Sequence, residues 1–270
     1  MLERFTHTLR IGVAADSLAL VRASRGLRPR CSLLAEAHFD AAEGPAALGK
    51  GLRRLLADAP LAGRSVTVVL ADELARIWQV TPPHSASRMA DLEAAAALRF
   101  QSLFGAPPAG WQLSADWNAR HPFLAAALPA PLLASLQQAG AEHRFHLVGI
   151  APQFVAALNG WRKLRRRGAW FALVHGAVLT LAVFDEGALT AVRTAVVPPG
   201  SGRAWFEAHI AREALLTGAG EPALVQVCGS APRAWASEAG GAGVSCMLLG
   251  GEAAPAWSGA ARLAATGSLA

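Results

Sequence analysis

Two segments of this chain, Arg10–Ala23 and Trp170–Val196, share the pattern of a β-hairpin with small residues at its turn. In the first segment, two apolar runs flank the polar pair Asp16-Ser17, which is typical of a tight turn between antiparallel strands. In the second, apolar runs flank Gly176, and a further turn ends at Gly187. A pattern that occurs twice in one chain indicates a duplicated structural unit.

The segments that follow each hairpin repeat as well, in the order third strand, helix, strand, helix. Because strands alternate with helices, the sequence predicts an α/β protein in two lobes. We place the first lobe at residues 1–168, with an inserted strand–helix subdomain at about 105–145, and the second lobe at 169–270. Predicted strands after the first hairpin are Cys31–Phe39, Ser65–Leu70, Ala75–Val80, Trp111–Trp117, Phe123–Leu128, Phe145–Ile150, Ala223–Val227 and Gly240–Gly251; predicted helices are Gly44–Ala59, Ser87–Phe104, Ala130–Gly140, Pro152–Arg167 and Ala204–Leu216.

Composition excludes several protein classes. With 53% hydrophobic and 16% charged residues over 270 positions, the chain is too apolar to be disordered and long enough to bury a core. Three scattered cysteines without a CxxC pair predict neither a disulfide framework nor a zinc site and suit a reducing compartment. We find no signal-peptide pattern and no uninterrupted apolar stretch of about 18 residues or more, so we expect a cytoplasmic protein.

Four stretches of sequence resemble one known family: IGVAADSLALVRAS, LRFQSLFGAPPAGWQLSADW, FALVHGAVLTLAVFDEGALTAVRTA and LVQVCGSAPR. Together, in this order, they are similar to the PilM family of type IV pilus assembly proteins and to the cytoplasmic part of GspL-type secretion proteins. The resemblance covers nearly the whole chain. It implies an actin-like (ribonuclease H-like) duplicated fold with a nucleotide site between the two lobes.

In that fold, the hairpin turns bring backbone N–H groups and small side chains to the phosphates of the nucleotide. Residues with bulky side chains would keep the phosphates away from the backbone. Carried over to this chain, the resemblance implies six candidate nucleotide-contact residues: Asp16, Ser17, Gly176, Ala177, Gly229 and Ser230.

This chain departs from the family pattern where the metal-directed carboxylates stand. It has Ala14 in place of an acidic residue, Asp16 in place of the glycine two positions on, and His175 in place of aspartate. Asp16 at that position would repel a phosphate. We therefore predict a pseudo-ATPase with no catalytic residue, no metal ligand and no bound cofactor. The alternative is a shifted register in which Asp16 directs the metal, so that the protein binds ATP with magnesium.

Other candidates have simpler explanations. His175 is a candidate general base, but a half-buried histidine at a strand end explains it as well. Glu142-His143 and His146 are candidate metal ligands, but a loop between a helix and a strand explains them as well. Gly200–Gly202 as a phosphate cradle is weighed against a plain loop. The basic run Arg162–Arg167 is either a solvated helix end or a contact for an anionic surface.

The resemblance implies a scaffold in the inner-membrane platform of a type IV pilus or type II secretion system, peripheral to that membrane. Its partner would be the N-terminal cytoplasmic tail of a single-span membrane protein, and a secretion ATPase would be a further partner. An active Mg·ATP-binding protein of the same assembly and a relative of the sugar or acetate kinases are the alternatives. No motif indicates binding to nucleic acid.

Overall fold

A computed structural model describes residues 7–24, 30–40, 42, 45–236, 243–250 and 257–267. The strands are β1 (His7–Val13), β2 (Ser17–Ser24), β3 (Cys31–His38), β4 (Ser65–Leu70), β5 (Arg76–Val80), β6 (Trp111–Ala115), β7 (Phe123–Pro129), β8 (His146–Pro152), β9 (Trp170–His175), β10 (Val178–Asp185), β11 (Ala188–Val196), β12 (Leu224–Gly229) and β13 (Ser245–Leu248). The helices are α1 (Pro45–Leu56), α2 (Met89–Phe104), α3 (Ala130–Glu142), α4 (Gln153–Gly160), α5 (Arg203–Thr217) and α6 (Gly259–Ala265).

Two five-stranded sheets have the same strand order, which confirms the duplication. The first runs β3-β2-β1-β4-β8 and the second β11-β10-β9-β12-β13. In both sheets, the first two strands form an antiparallel hairpin. The first strand of that hairpin also pairs in parallel with a later strand. The predicted hairpins are therefore the equivalent first two strands of the two sheets.

Each sheet has its own apolar core. In the first lobe, Ile11, Leu20 and Val68 are fully buried beneath α1 and α3. In the second lobe, Trp170 and Trp235 are buried together with residues of α5. A strand that is covered on both faces of its sheet buries the side chains on both of its faces. The central strands of the two sheets are therefore almost continuously apolar.

The last helix among the described residues packs on the first lobe, not on the second. We predicted a second lobe at 169–270 with a weakly patterned tail, whereas α6 lies against β1 and β2. Gly12 and Ala19 pair across these strands and leave room for Ala260 of the helix. Ser258 caps α6, because its hydroxyl accepts a hydrogen bond from the Ala261 N–H at 3.1 Å.

The inserted region also differs from its predicted limits of about 105–145. A three-stranded sheet of order β5-β7-β6 packs on α2, so that the small layer spans Arg76–Pro129. Its core includes Trp78 and Phe100, whose ring centroids are 5.3 Å apart. The helix α3 packs instead on α1 of the first lobe. β5 reaches the second lobe, where the Gln79 side chain donates a hydrogen bond to the Leu189 carbonyl.

Several predicted helix limits are wrong. The helix predicted over Pro152–Arg167 ends at Gly160, so the basic run Arg162–Arg167 lies in the turns just beyond the helix rather than within it. α2 begins at Met89 rather than Ser87, because the Asp91 carboxylate accepts hydrogen bonds from the two backbone N–H groups that precede the helix. α3 continues through Gly140 to Glu142. Within the described ranges, no helix has the length and apolar character needed to span a bilayer.

Candidate functional site

The turn of the first hairpin is held by its own polar groups. The Ala14 N–H donates to the Ser17 carbonyl at 2.9 Å, and the Ser17 hydroxyl donates to the Asp16 carboxylate at 2.9 Å. The Asp16 carbonyl accepts from the Phe39 N–H at 3.0 Å, while Ser17 is 7% exposed. The Ser17 hydroxyl is thus engaged locally, and the exposed charge at this turn is negative.

The second and third predicted segments meet at the carboxyl ends of β9 and β12. Gly229 pairs with Val174, and a Cβ at Gly229 would clash with the Val174 carbonyl oxygen. That oxygen accepts hydrogen bonds from the Ser230 N–H at 2.8 Å and from its hydroxyl at 3.2 Å. Gly176 and Ala177 form the exposed turn that follows β9. The structure brings these four residues together, whereas Asp16 and Ser17 make their hydrogen bonds in the first lobe. Nucleotide binding by the six candidate residues stays a prediction.

His175 ends β9 and is influenced by residues of the first lobe. Burial lowers its pKa below the usual value, because the charged imidazolium loses water. Glu73 acts in the opposite direction and raises the pKa of His175, while Arg262 of α6 lowers it further. Glu73 follows β4 and Arg262 lies on the helix that covers β1, so the charges that act on His175 belong to elements packed on the first sheet.

Asp72 lies just after β4, and the sequence analysis gave it no role. Its carboxylate accepts a hydrogen bond from the Phe154 N–H at 3.0 Å, at the first turn of α4. Burial raises the pKa of Asp72 to about 6, and the neighbouring Glu73 acts in the same direction. The signal in the sequence is an acidic pair directly after a buried strand. The carboxylate thus satisfies a backbone N–H at a helix N-terminus, which gives it a structural role.

Residues of two other candidate sites, the phosphate cradle and the metal site, form hydrogen bonds within the protein. In Gly200–Gly202, the Ser201 hydroxyl donates to the Pro198 carbonyl at 2.7 Å, and its carbonyl accepts from the buried Trp235 indole at 2.9 Å. The Glu142 carboxylate accepts from Gln138 at 2.8 Å. Among the residues that the structure describes, no group of three or more His, Cys, Asp and Glu side chains could hold a metal ion.

An apolar groove of about 260 Å³ opens beside the first hairpin turn. Ala14 and Ala15 of the turn form one wall, and Leu132 of α3 belongs to the opposite one. The other lining residues are Val13, Phe39, Leu48, Leu74, Pro129, Pro131 and Ser135. Both alanines of the turn thus face an apolar space.

A second cavity, also about 260 Å³, lies on the other side of Phe39. Its lining is polar and includes Lys50 and Arg54, one turn apart on α1, together with His38 and Asp40. The Arg54 guanidinium donates to the His38 carbonyl at 3.4 Å. The apolar groove therefore has a predominantly basic neighbour.

Comparison with solved structures identifies the architecture. The cytoplasmic domain of EpsL, an inner-membrane component of the type II secretion system of Vibrio cholerae, is 14% identical and superposes with a TM-score of 0.55 over 96% of this chain and 93% of that one. A Bacteroides thetaiotaomicron protein of actin-like ATPase fold and unknown function is 10% identical, with a TM-score of 0.58 over 92% of each chain. A PilM–PilN type IV pilus biogenesis complex overlaps less, at 20% identity and a TM-score of 0.49 over 77% of this chain and 65% of that one.

No protein-family model and no curated protein sequence matches this chain. At the identities found, the structural likenesses establish the fold and not the activity. The protein has a duplicated α/β architecture of the actin-like class, as the sequence resemblance implied.

Proposed function

We propose that this protein is a cytoplasmic scaffold of an inner-membrane platform of the type II secretion or type IV pilus kind. In this role it holds the N-terminal cytoplasmic tail of a single-span membrane protein in the apolar groove. It does so without hydrolysing a nucleotide, and it remains peripheral to the membrane through its partner.

The assembly is suggested by two findings that agree. The sequence resembles pilus assembly and secretion proteins along most of its length, and the fold matches the EpsL cytoplasmic domain over 93% of that domain. The EpsL domain is itself part of an inner-membrane component, so a matching fold of nearly equal extent supports a place in a related platform.

The apolar lining at the hairpin turn is the observation that carries the binding mode. Ala14 stands where the family pattern has an acidic residue, and together with Ala15 it lines a groove with prolines and leucines instead. A space of about 260 Å³ lies below the range of about 300–1,000 Å³ that usually encloses a small molecule. It suits a few apolar side chains of an extended peptide, whose remaining length lies on the surface.

The same turn disfavours a nucleotide. Asp16 is exposed, and a phosphate placed about 4 Å from it would be repelled by roughly 1 kcal/mol in water and up to about 4 kcal/mol near a protein surface. No carboxylate occupies position 14 to offset this by orienting a magnesium ion. A nucleotide would thus bind against an unfavourable charge.

Binding of the tail is tested by calorimetry with a synthetic peptide that copies the N-terminal cytoplasmic tail of a single-span inner-membrane protein of a type II secretion or type IV pilus platform from the same organism. We expect saturable binding that Ala15→Glu weakens at least about tenfold, since a carboxylate would be forced into an apolar groove. Ala177→Glu is the matched control, because it places the same charge at the turn of the second hairpin. Absence of binding to the wild-type chain, with and without nucleotide, would contradict the proposal.

The absence of nucleotide binding is a separate prediction. Titration with Mg·ATP should give no saturable heat at concentrations up to about 1 mM, which corresponds to a binding free energy weaker than about −4 kcal/mol. Micromolar affinity that disappears in Asp16→Ala would instead establish Asp16 as a metal-directing residue and the protein as an active nucleotide binder.

A further inference from the structure

A basic loop joins the two lobes between α4 and β9. It carries Arg162, Lys163, Arg166 and Arg167, all of which are exposed. In the middle of these cations, the Leu164 side chain is 55% exposed. An apolar side chain surrounded by cations has the composition of a surface that meets both lipid headgroups and acyl chains.

Hydrogen bonds to a buried residue of β12 fix the conformation of the loop. Gln226 of β12 is 1% exposed, and its amide donates to the Leu164 carbonyl at 3.1 Å and accepts from the Arg166 N–H at 2.7 Å. The Arg165 guanidinium lies over the Phe184 ring, 4.6 Å from its centroid. With Arg165 turned inward and the backbone tied to Gln226, the remaining side chains project into solvent without further ordering of the loop.

Carboxylates near the loop do not neutralise it. Asp185, Glu186 and Glu221 are exposed and lie at the same end of the second sheet, as the strand register shows. The ion pairs described within the resolved part of the chain join none of them to the loop. Five cations against three carboxylates leave this end of the lobe positive.

We propose that the loop Arg162–Arg167 docks on an anionic phospholipid surface, with the cations on the headgroups and Leu164 inserted at the boundary with the acyl chains. Each Lys or Arg near an anionic leaflet attracts it, and the effect falls off within a Debye length. A nucleic acid backbone would use the cations but offers no apolar space for Leu164. A lipid surface accounts for both features.

This contact goes beyond the proposed tail binding and does not depend on it. The loop lies at the amino end of β9 in the second lobe, whereas the apolar groove opens beside the turn that follows β1 in the first lobe. The protein would then have two attachments near a membrane, one to a protein tail and one to the lipid itself. Two weak attachments together hold a protein far better than either alone.

Co-sedimentation of the full chain with vesicles tests the proposal without any partner peptide. We expect binding to phosphatidylcholine vesicles that contain about 30% phosphatidylglycerol, no binding to pure phosphatidylcholine, and release by about 0.5 M salt. Arg166→Gln combined with Arg167→Gln should lower the partition coefficient roughly tenfold or more, and Leu164→Ser several-fold.

Matched controls separate a docking loop from overall charge and exposed apolar area. Arg99→Gln combined with Arg120→Gln removes the same charge from exposed sites elsewhere, and Leu98→Ser removes a leucine that is 69% exposed. These variants should bind vesicles like the wild-type chain. The proposal is wrong if the wild-type chain ignores anionic vesicles, or if the control pair loses as much binding as the loop pair. Loop variants that keep vesicle binding but lose retention of short RNA would assign the loop to nucleic acid instead.

Discussion

Gly12→Ala is expected to lower the free energy of unfolding by about 3 kcal/mol. A Cβ at this position would clash with the Ala260 carbonyl oxygen and would lie 2.8 Å from the Ala264 backbone nitrogen. Both atoms belong to the backbone of α6, so no side-chain rotation relieves the clash and the helix has to move away from the sheet. Leu263 of α6, which is fully buried against Val69 and Ala71, would then lose part of its contacts.

Chemical denaturation of the wild-type chain and the variant measures this effect. Gly149→Ala is the matched control, since Gly149 also lies in a strand of the first sheet and its added Cβ would meet only Thr67, at 3.8 Å. We expect the control to unfold within about 1 kcal/mol of the wild-type chain. Equal stability of the Gly12 variant would mean that α6 does not pack on β1 as described.

Asp72→Asn is expected to stabilise the protein at neutral pH. Burial raises the pKa of Asp72 to about 6 from an ordinary 3.8, so the folded protein holds this proton more tightly than the unfolded chain. The resulting stability is complete below the unfolded pKa and is lost as the pH rises through about 6. The loss amounts to at most about 3 kcal/mol, and asparagine avoids it while still accepting the Phe154 N–H with its side-chain oxygen.

The measurement is the free energy of unfolding of both proteins between about pH 4 and pH 8. The stability difference in favour of the variant should grow across this range and level off above the folded pKa. Asp58→Asn, which removes a carboxylate from an exposed turn, controls for the change in net charge. A difference that stays constant with pH, or one that favours wild type throughout, would show that Asp72 is not a buried carboxyl of raised pKa.

Local patterns in the sequence predicted the strands and the duplication well. SVTVVL at Ser65–Leu70 is β-branched and ends at polar residues, and the structure has a strand with the same limits. Both hairpins were found because a turn with small or polar residues between apolar runs is a short-range signal.

Tertiary contacts explain the elements that were missed. α6 consists mainly of alanine, so it shows little contrast between an apolar and a polar face. The position of α6 depends on the contact between its small residues and Gly12, which is distant in the chain. α4 ends at Gly160, where Gly267 approaches so closely that a Cβ at position 160 would clash with it, and this long-range contact has no signal in the local pattern.

The candidate site was predictable only in part. Positions 14, 16 and 175 could be compared with a family pattern residue by residue. The apolar groove could not be predicted, because its walls come from the first hairpin, from α1 and from α3, whose mutual distance no local pattern encodes. The role of Asp72 could not be predicted, since its partner Phe154 lies 82 positions further along the chain.

The return of α6 to the first sheet has a consequence for synthesis on the ribosome. The amino-terminal half emerges first, but the face of its sheet that contains Gly12 and Ala19 stays uncovered until residues 259–265 have been translated. The lobe that begins the chain is therefore finished last, after the other lobe has formed. Such an order couples the two halves into one cooperative unit, and it gives a nascent chain that stops early an exposed apolar face by which quality control can recognise it.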